Sequence, residues 1–227
     1  MSIKNFFPSE ILKKNERKEV QSHGFSWEKE LITNVYHATI EEIKQIKYNS
    51  KIDLPSKFNH IDNCDISIKT SGNKNSVCMS DCLRLFDSVE DKCIHLVVVH
   101  YKQINNIKKI LSIIEIDLTN SRELLFGNLN RAQIEELDKA VKSVPQKKKP
   151  TDEQYNKMYI LRDSLISGNL RLDIKCNSTQ SRLQCSFNHF QKFIENNPKR
   201  IIAKSNTNEF RGGIISSEIL SSCRTFN

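Results

Sequence analysis

Cys64-Asp65-Ile66-Ser67-Ile68-Lys69-Thr70 is the stretch on which the fold turns. Side chains alternate across a strand, so Cys64, Ile66 and Ile68 point one way and Asp65, Ser67 and Lys69 the other. One apolar face and one polar face is the pattern of a half-buried strand. Asp62-Asn63 before it and Ser71-Gly72-Asn73-Lys74-Asn75 after it are turn-forming. The strand therefore offers an acid and a lysine on one side of a rigid base, close to a sheet edge.

Working upstream, Trp27, Leu31, Val35 and Ala38 recur at helical spacing, which predicts a helix over residues 27–44. Ser26 is a suitable N-cap, and Glu28 and Glu30 fall in the first turn, where the helix dipole favours acids. Residues 46–54 read as a strand ended by Pro55. Downstream, a short helix is expected over 79–88. Residues 94–101 are apolar on both faces, as in a central strand covered on each side. Residues 110–118 alternate, and 129–144 carry Ile134, Leu137 and Val141 on one helical stripe. Thr151 and Gln154 form a capping box for the next helix, which Gly168 stops. Two amphipathic strands follow over 170–176 and 182–187. A helix over 188–196, a strand near Ile201 and a loop at Phe210-Arg211-Gly212-Gly213 complete the chain. This order predicts an α/β (mixed α+β) fold, a central mixed sheet with some parallel pairing flanked by helices.

Composition bounds the function. The 227 residues make 26.3 kDa, enough for one substantial core. Thirty-five Lys+Arg against 27 Asp+Glu give a net charge of +8 and a pI near 9.1, which suits a polyanionic partner. Mean hydropathy is -0.52, and no apolar run reaches the ~18–20 residues of a membrane helix. Seven cysteines, an odd count without a secretory signal, predict reduced thiols in the cytoplasm. Cys78-x3-Cys82 with Cys93 and His95 is the nearest approach to a zinc cluster, and small core residues are the better reading. Residues 1–23 read as a mobile, charged arm, and 24–227 as a single domain. Ile3, Phe6 and Phe7 in that arm resemble a sliding-clamp docking box.

Phosphodiester hydrolysis needs one or two Mg²⁺ held by carboxylates, and a lysine to orient water and steady the anionic transition state. Asp65 and Lys69 supply an acid and an ammonium on one strand face. The helix with early acids, the strand ending at Asp53, this strand, a short helix and an apolar central strand follow in order. That order resembles the PD-(D/E)xK nuclease superfamily, the core of type II restriction endonucleases and Holliday-junction resolvases. By this resemblance Glu30 or Glu28 matches the helix acid and Asp53 or Asp65 the strand aspartate. Ser67-Ile68-Lys69 matches the tripeptide. Its middle acid is Ser67 here, which points to Asp65 as metal ligand, with Asp53 or Glu30 as second acid. The resemblance implies a Mg²⁺-dependent endonuclease acting on double-stranded DNA as a homodimer. It spans residues 26–102; the core is expected over 26–118 and a DNA-contacting part over 119–227. A non-catalytic nucleic-acid-binding or clamp-binding protein on the same scaffold is the alternative.

Other residues are candidates for touching DNA. Lys147, Lys148 and Lys149 form a basic loop between prolines, suited to phosphates. Arg182 and Gln184 share a strand face, with Arg171 and Lys175 on the neighbouring strand. Such a ribbon fits a major groove, where Arg pairs with guanine and Gln with adenine. Asp173-Ile174-Lys175 is a second D-x-K tripeptide, with Asp163 upstream of it inside a predicted helix.

Overall fold

The computed structural model describes residues 22–46, 52–72, 74–90, 92–145, 148–176 and 181–220. The two strands expected over 64–70 and 94–101 are both present. β1 (Asp65–Ser71) runs parallel to β3 (Ile94–Ile104), in register Asp65 with Ile94. β3 turns into antiparallel β4 (Ile107–Asp117), which also pairs with β7 (Ile201–Ser205) and β10 (Glu218–Leu220). The central sheet is therefore mixed, in the order β1-β3-β4-β10, with β7 on β4. The fold is α+β, as the sequence predicts.

Seven consecutive residues of β3, Ile94–His100, are buried, because both faces of the sheet are covered. Val97 and Val99 join Ile66 and Ile68 of β1 in a core with Trp27, Leu31 and Val35. Leu96 and Val98 face the opposite way into a larger core. That core is capped by a second sheet of β2 (Val77–Asp81), β6 (Ser181–Phe187) and β5 (Leu170–Cys176). Helices α3 (Cys82–Ser88), α4 (Arg122–Phe126), α5 (Arg131–Lys142) and α7 (Phe190–Asn196) add Phe86, Phe126, Leu137 and Phe193 to it. The two halves of the chain exchange strands: β7 and β10 complete the first sheet, and β2 joins the later pair. Residues 118–119 are therefore not a seam.

Several local expectations need correction. The first helix, α1 (Ser22–Glu30), widens into a π-turn over Leu31–Val35, closed by Tyr36 N–H to Leu31 O at 3.0 Å. His37 then takes φ 60°, and the chain restarts as α2 (Ile40–Gln45) behind a Thr39–Glu42 capping box. The predicted strand over 46–54 shrinks, within the described residues, to one bridge between Leu54 and Ile66. β2 was not expected; Ser80 at φ 75° interrupts its register. The helix placed by the Thr151–Gln154 box is present as α6 (Asp152–Asp163) and ends five residues before Gly168. The loop at 210–213 is a tight hairpin of β8 (Glu209–Phe210) and β9 (Gly213–Ile214). Arg211 and Gly212, at φ 49° and 83°, make its two-residue turn, which needs positive φ at both positions.

No helix among the described residues is long and apolar enough to cross a membrane. Ile3, Phe6, Phe7 and most of the predicted arm lie outside the described residues, as does Lys147.

Candidate functional site

β1 lies at the end of its sheet, and among the described residues only the Leu54 bridge continues beyond it. The chain enters that bridge through Asp53, so an aspartate is carried along the polar face of β1. Asp53 Oδ2 accepts from the Ile68 backbone N–H at 2.6 Å, from Lys69 Nζ at 3.0 Å and from Ser67 Oγ at 3.3 Å. All three bonds go to one oxygen. Lys69 Nζ also donates to the Ile68 carbonyl at 2.8 Å. The pair is partly buried, with the Lys69 and Asp53 side chains 19% and 26% exposed. The ammonium is thus fixed in position and still reachable.

Glu28 completes the group. It stands one residue past buried Trp27 on α1, at the margin of the apolar face, and is itself half-buried. Burial raises its carboxyl from 4.5 to about 7; the Asp53 carboxylate adds to this, and the Lys69 ammonium opposes it. Glu28 thus lies near enough to Asp53 and Lys69 to feel both charges. Glu28 and Asp53 are the side chains that would hold a divalent cation here, whose charge would favour the ionised form of both.

The helix acid named first from sequence, Glu30, is used elsewhere. Its carboxylate accepts from the Ser216 backbone N–H, and from Ser216 Oγ at 2.8 Å. Trp27 Nε1 donates to the Ser216 carbonyl at 2.7 Å, so the end of the chain clamps α1 in place. Asp65, read as a metal ligand, also has another task. Its Oδ1 accepts from the Ser56 N–H at 2.7 Å and caps the short turn Ser56–Phe58. The carboxylates beside Lys69 are thus Glu28 and Asp53. No third acid joins them within ligand reach among the described residues, in keeping with serine at position 67.

The second tripeptide does not form a site. Asp173 is taken up by Arg171 Nε at 2.5 Å and Ser186 Oγ at 2.5 Å, and Asp163 pairs with Arg162 at the end of α6. Arg171, Lys175, Gln184 and Ser186 line a cavity of about 440 Å³ with Tyr159 and Arg162 of α6. Gln184 is 2% exposed, which removes it as an open base-reading side chain. Arg171 and Lys175 remain exposed, Arg182 is half-buried, and Lys148 and Lys149 are exposed ahead of α6.

Sequence reasoning missed a second cluster. His95 Nδ1 meets Glu115 Oε1 at 2.8 Å, and Arg211 Nη1 donates to Glu115 at 2.9 and 3.0 Å and to Asp62 at 2.6 Å. Glu115 is fully buried. An acid on β4 facing a histidine on β3 is the only local signal, and the arginine comes from the distant hairpin. The predicted Cys78–Cys82 grouping does not form: Cys78 is exposed on β2, while Cys82 lies in the core against Cys185. Comparison with known proteins gives no match: no family model fits the chain, and no curated protein or solved structure is similar to it.

Proposed function

We propose that this protein is a divalent-metal-dependent endonuclease acting on double-stranded DNA. The observation that carries the reading is the Asp53–Lys69 pair with Glu28 beside it, on the edge strand of a mixed sheet. The resemblance to the PD-(D/E)xK nucleases supports this reading, with Glu28 in place of Glu30 as the helix acid and Asp53 in place of Asp65 as the strand aspartate. Bound between them, Mg²⁺ would polarise a phosphate oxygen and acidify a water. Lys69 is placed to orient that water and to stabilise charge on the phosphate as it becomes pentavalent. Ser67 and the Ile68 N–H hold the Asp53 carboxylate in one orientation, so little reorganisation accompanies the reaction. The net charge of +8 supports a polyanionic substrate. Cutting both strands calls for two such sites, which a two-fold homodimer supplies.

A second reading has one specific observation in its favour. Among the described residues only two carboxylates gather here, which suits a nuclease scaffold that binds nucleic acid without cutting it. Incubation of mixed plasmid DNA with the wild type, Lys69→Ala and Glu28→Gln in Mg²⁺ separates the two. Fragments from the wild type alone support the endonuclease. A salt-dependent gel shift without cleavage selects the binding protein. Absence of both at low salt refutes both.

A further inference from the structure

Cys64 stands immediately before β1 and Cys93 immediately before β3. Because these strands are parallel and paired from Asp65 and Ile94, the preceding residues also meet. Their Cα atoms are 4.7 Å apart, and their sulfurs are joined as a disulfide across 29 residues of chain. Reduced thiols were expected for every cysteine, so this pair is a correction. Its surroundings say more than a crosslink requires. His95, two residues along β3, places Nε2 3.9 Å from Cys93 Sγ. One ligand atom from each of Cys64, Cys93 and His95 lies within 4.8 Å of the others.

The histidine is held as metal-binding histidines are held. Its Nδ1 is fixed by the buried Glu115 carboxylate, which leaves Nε2 towards the sulfurs. Asp62, His95 and Glu115 also lie within ligand reach of one another. Arg211 occupies that second group, however, with bonds to both acids. The sulfur-bearing group has no such cation within it.

We propose that Cys64, Cys93 and His95 form a zinc site when the disulfide is reduced. Two equivalents of a small thiol break the Cys64–Cys93 bond, giving two cysteine thiols and one disulfide of the reductant. Each cysteine then releases its proton to solvent as its sulfur ligates Zn²⁺. Two thiolates cancel the dicationic charge, so the half-covered end of the sheet gains no net charge on binding. Thiolate and imidazole donors suit Zn²⁺ over Mg²⁺ or Ca²⁺. Three protein ligands leave a fourth position for water. The site is separate from the Lys69 group, which lies five residues and roughly 17 Å further along the chain from Cys64. The two assignments therefore stand or fall apart.

The full chain is reduced, equilibrated with Zn²⁺, desalted and assayed for metal by mass spectrometry. About one equivalent is expected to remain. Cys64→Ser and Cys93→Ser should lose it, while Cys78→Ser, at an exposed free cysteine, should keep it. Co²⁺ added to the reduced wild type should give an intense thiolate-to-metal charge-transfer band, a readout that needs no variant to fold. Retention of zinc by Cys64→Ser, or no metal and no charge-transfer band in the reduced wild type, overturns the proposal.

Discussion

Glu28→Gln tests the electrostatics of the candidate site without reference to any reaction. The folded protein raises the Glu28 carboxyl from 4.5 to about 7. That displacement corresponds to about 3 kcal/mol against the ionised form. A folded-state pKa above the unfolded one means that the fold prefers the proton. The stabilising contribution is complete below about 4.5 and is lost as pH rises through about 7. At pH 8 the wild type therefore carries nearly the whole penalty, and at pH 5 only about 1 kcal/mol of it. Glutamine has no charge to bury, so the variant should gain on the wild type as pH rises. In a domain of this size each kcal/mol moves Tm by about 2–4 °C, so the variant should melt roughly 6–12 °C higher at pH 8. At pH 5 the gap should shrink to roughly 2–4 °C. Circular-dichroism melts at both pH values measure this. The sign of the effect is unusual, since replacing a candidate functional acid stabilises the protein only where that acid is ionised. Equal Tm differences at the two pH values, or a variant less stable at pH 8, would refute the account of Glu28.

Three further outcomes follow from other contacts. Arg211→Met leaves the buried Glu115 carboxylate without its cation and should cost about 3–5 kcal/mol in urea unfolding; a loss below about 1 kcal/mol would show that the network is not buried as described. Gly213→Ala drives a methyl group into the Asn34 carbonyl and should cost about 1–3 kcal/mol. It should also shift the fluorescence of Trp27, the chain's single tryptophan, whose indole is bonded to Ser216; an unmoved spectrum argues against the clamp on α1. If Arg171 and Lys175 contact phosphates, Arg171→Ala with Lys175→Ala should lower the slope of log affinity against log salt by about 1.8, and an unchanged slope removes them from the interface.

The sheet was legible because its signals are local. β1, β3 and the β5–β6 pair each announce themselves by alternation or by a continuous apolar run, and α6 by its capping box. What escaped depends on distant partners. Glu28 and Glu30 lie two residues apart, about 200° around a helix, and spacing alone cannot choose between them. The choice is made by Ser216, far along the chain, which takes Glu30 and leaves Glu28 beside Lys69. Asp65 looked available because nothing in the strand pattern shows that Ser56 turns its N–H towards it. Gln184 looked exposed because its strand alternates, yet β2 and the residues of α6 enclose that face. The widened turn at Leu31–Val35, which buries Leu31, Ile32 and Val35, has no marker in its residues.

The clamp of Ser216 on Trp27 and Glu30 has a bearing on biosynthesis. The helix bearing Glu28 is translated some 190 positions ahead of the residues that anchor it. A nascent chain can pair β1 with β3 and β4 and bring Lys69 to Asp53 long before then, whereas α1 gains its anchor only once Ser216 has emerged. A chain cut short before Ser216 should therefore keep the Asp53–Lys69 contact yet lack the bonds that fasten its first helix.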